Sequence, residues 1–226
     1  GARNVRRCQL EDFGRHWSDG PELPCRSNGS FAANAQGALY IVGGYTEHDD
    51  DVGFESFGPM RRPLCFENGA WTQRAEMPYP FCGALASLNG RLHALLLSDD
   101  LRRGQKYHCI YDPATDSWTS AELPVAIDIR LDNDDSYAPA ILLSCKGLLF
   151  LFTQRLPCRD FSSMRLHVYD AATGWRTNVD ASAFTSALER IIPDRCSEDP
   201  GSDSDDEDWF PKGVGRLFSA SACELR

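Results

Sequence analysis

Four tryptophans recur along this chain at intervals near fifty residues, and this interval constrains the fold more than any other feature. They are Trp17, Trp71, Trp118 and Trp175, and successive ones lie 54, 47 and 57 residues apart. Before the last two tryptophans, β-type runs lead into Asp-Pro-Ala-Thr-Asp at 112–116 and Asp-Ala-Ala-Thr-Gly at 170–174. Proline presets φ for a turn, and Asp and Thr side chains hydrogen-bond the local backbone. The sequence therefore predicts a repeated β-hairpin.

The repeat extends beyond the hairpin in both directions. Three of the four tryptophans are followed by Glu22-Leu23-Pro24, Glu76-Met77-Pro78 and Glu122-Leu123-Pro124. An apolar run that ends in Gly43-Gly44 precedes Trp71. A period near fifty residues is typical of kelch repeats. Over residues 8 to 179 the chain resembles the kelch family, whose blades have an apolar strand, a glycine pair and an outer strand opened by tryptophan.

The resemblance implies an all-β fold, a kelch-type β-propeller built from four-stranded blades. Two blades depart from the family pattern, because Leu96-Leu97 and Phe152-Thr153 stand where the first blade has Gly43-Gly44. Glycines at that place allow a positive φ or a close approach of two backbones. Their replacement indicates blades whose strand ends are rebuilt.

We expect an incomplete set of about four blades and a C-terminal closing strand. The predicted segments are the end of a blade at 8–24, blades at 25–78, 79–124 and 125–180, an acidic insertion at 181–212 and the closing strand at 213–226. Residues 45 to 63 are predicted to be a long loop within the first full blade. Since the family usually has six blades, we expect about two more upstream and a longer protein.

The net charge of −10 is concentrated in one segment. Residues 198 to 208 hold seven acidic residues and no Lys or Arg, which leaves 26 of the 33 acidic residues against 23 basic ones. The rest of the chain has no basic surface suited to nucleic acid or an anionic membrane. Without a transmembrane run or signal peptide, we expect a soluble cytoplasmic protein, with the nucleus as an alternative.

Cysteine and histidine patterns give no sign of a reactive centre. The nine cysteines lack a C-x-x-C pair, so we expect reduced thiols in the core. His93, His108 and His167 lie on different predicted strands without metal-ligand spacing. The aspartate runs at 49–51 and 132–135 do not follow a calcium-loop pattern. We therefore predict no catalytic residue, no cofactor and no metal.

The resemblance implies that loops at one mouth of the propeller bind a peptide. Arginine forks bind carboxylate or phosphate, and aromatic residues anchor interfaces. Arg26 and Asn28 lie in these loops, and the predicted partner-binding residues are Arg61, Arg62, Tyr79, Phe81, Arg102, Arg103, Tyr137, Arg155 and Arg159. We expect an acidic or phosphorylated protein segment as the ligand. The alternative is that the arginines only solubilise the loops.

The resemblance implies a protein-interaction module. In animal proteins, sequences of this type are often joined to an upstream BTB domain, through which they reach a cullin and serve as the substrate receptor of a ubiquitin ligase. Substrate recognition for such an adaptor is therefore the expected function. Binding to actin or the cytoskeleton is one alternative, and a propeller enzyme is another, because propellers host many activities.

Overall fold

Every secondary-structure element with assigned bounds in the described part of the chain is a β-strand. The computed structural model describes residues 6–8, 17–49, 55–97, 105–127, 140–154, 164–180 and 182. The strands are β1 (Arg6–Cys8), β2 (Trp17–Asp19), β3 (Ser27–Asn28), β4 (Phe31–Ala35), β5 (Ala38–Val42), β6 (Tyr45–Asp49), β7 (Glu55–Pro59), β8 (Leu64–Glu67), β9 (Ala70–Gln73), β10 (Phe81–Leu88), β11 (Arg91–Leu97), β12 (Lys106–Asp112), β13 (Ser117–Glu122), β14 (Ile141–Cys145), β15 (Leu148–Gln154), β16 (Met164–Asp170) and β17 (Gly174–Val179). The prediction of an all-β fold is confirmed.

Three of the described sheets are four-stranded antiparallel meanders. Their strand orders are β4-β5-β8-β9, β10-β11-β12-β13 and β14-β15-β16-β17, and β1 pairs with β2 in a two-stranded sheet. Trp71, Trp118 and Trp175 lie in the last strand of the three meanders. The tryptophan spacing therefore marks successive blades of a propeller.

Turn chemistry explains why these strands reverse where they do. Asn89 and Gly90 both have positive φ, 52° and 74°, which is the conformation of a tight type I′ hairpin turn. In the outer hairpins, the Ala114 N–H donates to Asp112 Oδ1 at 2.9 Å and the Ala172 N–H donates to Asp170 Oδ1 at 2.8 Å. Both turn types are set by a few neighbouring residues, which makes them visible in the sequence.

The prediction of a long loop at residues 45 to 63 is wrong. Strands β6 and β7 pair from Tyr45 opposite Pro59 to Asp49 opposite Glu55, and β3 extends this hairpin to a three-stranded sheet. Tyr and Thr at the start of β6 favour extended backbone. The aspartates at 49–51 suggested a loop, but the first of them still belongs to the ladder, and residues 50–54 lie outside the described part.

The glycine pair fixes where this hairpin leaves the blade. Gly43 and Gly44 have φ of 69° and 81°. A Cβ on Gly43 would collide with the Cβ of Cys82, and one on Gly44 would lie 2.5 Å from the carbonyl oxygen of Asn28. Both uses of glycine, positive φ and close approach, thus apply here. In the next blade the corresponding leucines are buried within β11.

The chain divides into two compact units, residues 1–122 and 123–226. The main core of the first unit lies between the sheets β4-β5-β8-β9 and β10-β11-β12-β13. It contains buried side chains from both sheets, among them Tyr40, Val42, Cys65, Leu92, Leu96, Cys109 and Tyr111. In the second unit, Phe152, Leu166 and Val168 form a core cluster of the sheet β14-β15-β16-β17.

Three of the described cysteines belong to the core. Cys65, Cys82 and Cys109 are buried and form no disulfide, whereas Cys25 and Cys145 are half-buried. Burial raises the pKa of both Cys82 and Cys109 to about 12, because a thiolate loses its hydration there. The prediction that cysteines lie in the core is confirmed for these three residues.

A set of hydrogen bonds joins the two blades of the first unit, and we call it the interblade latch (Ala75, Tyr111, Asp116 and Trp118). Asp116 Oδ1 accepts from the Tyr111 hydroxyl at 2.6 Å and from the Ala75 N–H at 2.9 Å. Trp118 Nε1 donates to the Ala75 carbonyl oxygen at 3.0 Å. The hydrogen bond from Tyr111, and to a smaller extent the one from the Ala75 N–H, lowers the pKa of Asp116. The latch links the chain after β9 to the outer hairpin of the next blade.

Several predicted segments lie outside the described residues. They are the closing strand at 213–226 and, except for residue 182, the acidic insertion at 181–212. Among the described residues, no helix has the length and apolar character needed to cross a membrane.

Candidate partner-binding site

Three chain segments meet where β6 leaves the first full blade. Tyr45 of β6 pairs with Pro59 of β7, and the Met60 N–H donates to the Gly44 carbonyl oxygen at 2.8 Å. The Met77 N–H donates to the Arg61 carbonyl oxygen, also at 2.8 Å. We call the surface carried by these segments the rim, and define it by Tyr45, Arg61, Arg62, Glu76, Tyr79 and Phe81. Backbone bonds therefore hold the rim in place.

Two arginines of the rim share one carboxylate. Arg61 Nη1 lies 3.9 Å from Glu76 Oε1, and Arg62 Nη2 lies 3.8 Å from Glu76 Oε2. The side chains are 45%, 57% and 48% exposed for Arg61, Arg62 and Glu76, respectively. Exposed pairs at such distances contribute about 0 to 1 kcal/mol each. The two ion pairs to Glu76 are therefore weak, and the three side chains together carry a formal charge of +1.

Aromatic residues occupy the other part of the rim. The rings of Tyr45 and Phe81 lie 6.2 Å apart, and Tyr45 is 40% exposed. Tyr79 stacks on Tyr107 with centroids 3.8 Å apart and planes within 7°. Burial, assisted by Tyr107, raises the pKa of Tyr79 to about 12. Tyr79 is therefore held by its stack on Tyr107, while Tyr45 exposes part of its aromatic surface.

The structure brings four of the predicted residues together, namely Arg61, Arg62, Tyr79 and Phe81. Arg26 is exposed just before β3, and Asn28 pairs with Tyr45. The remaining predicted residues, Arg102, Arg103, Tyr137, Arg155 and Arg159, lie outside the described residues. That the nine predicted residues bind a partner stays a prediction.

Three residues that shape this surface are not among the predicted site residues. Tyr45 falls in the predicted loop, although its place directly after the glycine pair marks the start of a new strand. No local pattern links Tyr107 to Tyr79, and Glu76 stands in the sequence as part of a repeated tripeptide. The position of Glu76 depends on the backbone bond between Met77 and Arg61, for which no local sequence signal exists.

Two histidines form a buried contact away from the rim. His93 Nδ1 and His108 Nε2 are 2.9 Å apart, so one ring donates and the other accepts a hydrogen bond. His93 lies opposite Ile110 in the ladder, which places it diagonal to His108 on the same face of the sheet. Burial lowers the pKa of His93 to about 4 and that of His108 to about 3. Both rings are therefore neutral at pH 7.

A pH dependence of stability follows from this pair. An unfolded histidine titrates near pH 6.5, above both folded-state pKa values, so the unfolded chain binds more protons as the pH falls from 6.5 towards 4. At pH 5 each histidine is expected to reduce the free energy of unfolding by about 2 kcal/mol relative to pH 7. Urea unfolding at the two pH values measures this loss. In the variant His93→Gln/His108→Gln, the free energy of unfolding should fall less between pH 7 and pH 5. The same pH dependence in the variant as in the wild type would contradict the role of the two histidines.

The described residues contain no group of three His, Cys, Asp or Glu side chains arranged to hold a metal ion. His167 is fully buried, and its Nδ1 accepts from the Asn178 N–H at 3.4 Å. The proton of that ring is then on Nε2, which lies 3.3 Å from Thr153 Oγ1. Both ring nitrogens of His167 thus have partners within its own sheet.

Comparisons with known proteins agree with the repeat. The protein named Kelch repeat and BTB domain-containing protein 4 is 28% identical over 158 residues in both Homo sapiens and Mus musculus, covering 66% of this chain and 26% of each relative. The chain thus spans about a quarter of the length of these curated relatives. No family model matches the chain.

A solved structure gives independent support for the fold. The structure titled "Structure of YjhT" aligns with a TM-score of 0.50 at 12% sequence identity, covering 72% of this chain and 54% of that one. YjhT has the kelch-type propeller fold. At this identity the likeness concerns the fold alone, and the predicted kelch-type β-propeller is confirmed.

Proposed function

We propose that this chain, which has the kelch-type β-propeller fold and resembles kelch-repeat proteins, is a protein-interaction module that binds its partner at the rim. The observation that carries the proposal is the exposed pair Arg61 and Arg62 on backbone segments that are hydrogen-bonded to the one before Tyr45, whose ring contacts Phe81. Interfaces are enriched in arginine and aromatic residues, which supply most of the binding energy. Such a surface suits a protein segment better than a small molecule.

The ligand proposed for the rim is an acidic or phosphorylated segment. Two guanidinium groups outnumber the single carboxylate of Glu76, and their pairs with it are long and exposed. Charge-assisted hydrogen bonds from arginine to carboxylate or phosphate are about twice as strong as neutral ones. The aromatic pair next to the arginines would receive an apolar side chain of the same segment.

In the cell, the proposed role is substrate recognition for a cullin ubiquitin ligase adaptor of BTB-kelch type. The relatives carry both kelch repeats and a BTB domain in their name. The cullin would be reached through an upstream domain of a longer protein, and the rim would select the substrate. The proposed location is the cytoplasm, with the nucleus as an alternative, and imaging of the tagged protein tests it.

Removal of both rim arginines is expected to weaken partner binding at least tenfold. Hydrogen bonds to charged groups contribute about 1.5 to 3 kcal/mol each, so Arg61→Ala/Arg62→Ala loses more than one factor of ten. Quantitative mass spectrometry of proteins bound to wild-type and variant chains identifies the partners, and titration of a purified partner gives the affinity. In cells, ubiquitylation of the same partner should fall with the variant.

The matched control for this experiment is Arg91→Ala/Arg176→Ala. It removes two exposed arginines from other strands and changes the net charge by the same amount. Equal binding by wild type, rim variant and control would contradict the rim as the binding site. If a partner loses binding to the rim variant but its ubiquitylation in cells does not fall, the interaction role stands and the ligase role is contradicted.

Other activities make different predictions. Actin binding, the alternative interaction role, is tested by co-sedimentation with actin filaments, which the rim variant should reduce. The kelch-repeat resemblance points to an interaction fold without catalysis. A stoichiometric metal in the purified protein would overturn this part of the proposal and favour a propeller enzyme.

A further inference from the structure

Glu76 occupies the place that an anionic ligand of the rim would take. Its two carboxylate oxygens each face one guanidinium, Oε1 towards Arg61 and Oε2 towards Arg62, at 3.9 and 3.8 Å. The backbone bond from Met77 to Arg61 holds the main chain of Glu76 next to the segment that carries the arginines. The rim therefore already contains one tethered carboxylate.

We infer that Glu76 is a built-in competitor that makes the rim selective for a phosphorylated partner over an acidic one, an inference that rests on the proposed function. An Asp or Glu side chain of a partner brings one negative charge and two oxygens. It can only replace Glu76, and the exchange gains almost nothing because Glu76 is the same chemical group. A tethered competitor also loses less entropy than a free ligand.

A phosphate group changes this balance. At pH 7 it carries a charge of about −1.5 to −2 and three acceptor oxygens. Two arginines can then each form a forked contact with different oxygens of one group. The gain exceeds the loss of two long, exposed pairs to Glu76. Because Glu76 is half exposed, it can swing into solvent without leaving a buried charge.

The aromatic side of the rim sets the second requirement. Tyr45 follows Gly44, whose carbonyl oxygen accepts from the Met60 N–H just before the arginines, and its ring lies 6.2 Å from that of Phe81. An apolar or aromatic group attached to the phosphate would contact them. The partner segment thus contains a phosphorylated residue, and the apolar group belongs either to that residue or to a neighbouring one.

Two small anions with the same ring test this inference on the full chain at pH 7.5. Phenyl phosphate is the dianion and benzoate is the monoanion. NMR titration of the arginine side-chain signals measures the binding of each. Wild type is expected to bind phenyl phosphate and to show no saturable binding of benzoate. In Glu76→Gln both anions should bind, with phenyl phosphate about fivefold tighter than in wild type, the factor expected for losing two exposed ion pairs.

The matched control is Glu67→Gln, which removes an exposed carboxylate from the pair of Glu67 with Arg74 at 3.3 Å. It should leave both titrations unchanged, since the overall charge change is the same but the rim is intact. Benzoate binding as tight as phenyl phosphate in wild type, or an effect of Glu67→Gln equal to that of Glu76→Gln, would overturn the role of Glu76.

The same titrations separate this inference from the proposed function. If Arg61→Ala/Arg62→Ala leaves phenyl phosphate binding unchanged, the rim arginines are not the anion site and both proposals fail. If binding needs the arginines but Glu76→Gln does not tighten it, only the competitor role fails. If neither anion binds Glu76→Gln, the rim is not an anion site and both proposals fail.

Discussion

Gly43→Ala is expected to destabilise the first unit by about 2 to 5 kcal/mol. Alanine at a φ of 69° costs about 1 to 2 kcal/mol, because its Cβ approaches the following carbonyl oxygen. The new Cβ also collides with the Cβ of Cys82, which is part of a buried strand and has no flexible end to move. Overpacking of this kind adds about 1 to 3 kcal/mol. Urea unfolding measures the loss.

The structure offers a matched control for this substitution. Gly69 has a φ of 82°, and a Cβ there would meet no atom within 4 Å. Gly69→Ala therefore carries only the backbone cost of about 1 to 2 kcal/mol. Equal destabilisation by the two variants would contradict the close approach between Gly43 and Cys82. Since domains are stable by only about 5 to 15 kcal/mol, loss of soluble protein is an alternative readout for Gly43→Ala.

Trp118→Ala is expected to cost about 3 to 5 kcal/mol, the usual loss for a large aromatic residue in a core. The Trp118 ring packs against Tyr111 with centroids 5.1 Å apart and borders the core between the two blades. Its Nε1 also donates to the Ala75 carbonyl oxygen. The variant loses both the packing and the latch bond. Thermal or urea unfolding of the purified chain measures the combined loss in the free energy of unfolding.

A comparison of phenylalanine substitutions isolates the hydrogen bond. Trp118→Phe removes the bond to Ala75, whereas the buried Nε1 of Trp71 has no hydrogen-bond partner within the described residues. Since a typical hydrogen bond contributes about 1 kcal/mol, Trp118→Phe should cost about that much more than Trp71→Phe. A smaller cost at position 118 than at position 71 would argue against the latch.

The blades were predictable from the sequence because their signals are local. Trp118 follows a turn whose Asp112 side chain accepts the Ala114 N–H, and such a turn needs only a few adjacent residues. Asn89-Gly90 gave the tight turn for the same reason. Each signal recurs at the interval of one blade, so the repeat reinforced every single assignment. The all-β, kelch-type propeller fold could therefore be predicted from the sequence.

The missed features depend on contacts between distant segments. The aspartates near position 50 suggested a loop, whereas pairing of Asp49 with Glu55 and support from β3 make this stretch a hairpin. The contact of His93 with His108 requires the register of two strands, which the spacing of the two histidines does not reveal. Glu76 meets Arg61 and Arg62 only after Met77 has bonded to Arg61. Of the site, the sequence supplied the residue types but not their partners.

Ala75 takes part in the latch through its main chain alone, donating with its N–H and accepting with its carbonyl oxygen. Many amino acids at position 75 can offer these two groups, whereas the opposite half of the joint demands an indole at 118 and a carboxylate at 116. A substitution at position 75 can therefore keep both hydrogen bonds of this seam, whereas substitutions at 116 and 118 remove them. Blades joined in this way can diverge until little but the tryptophans is shared, and still stack alike.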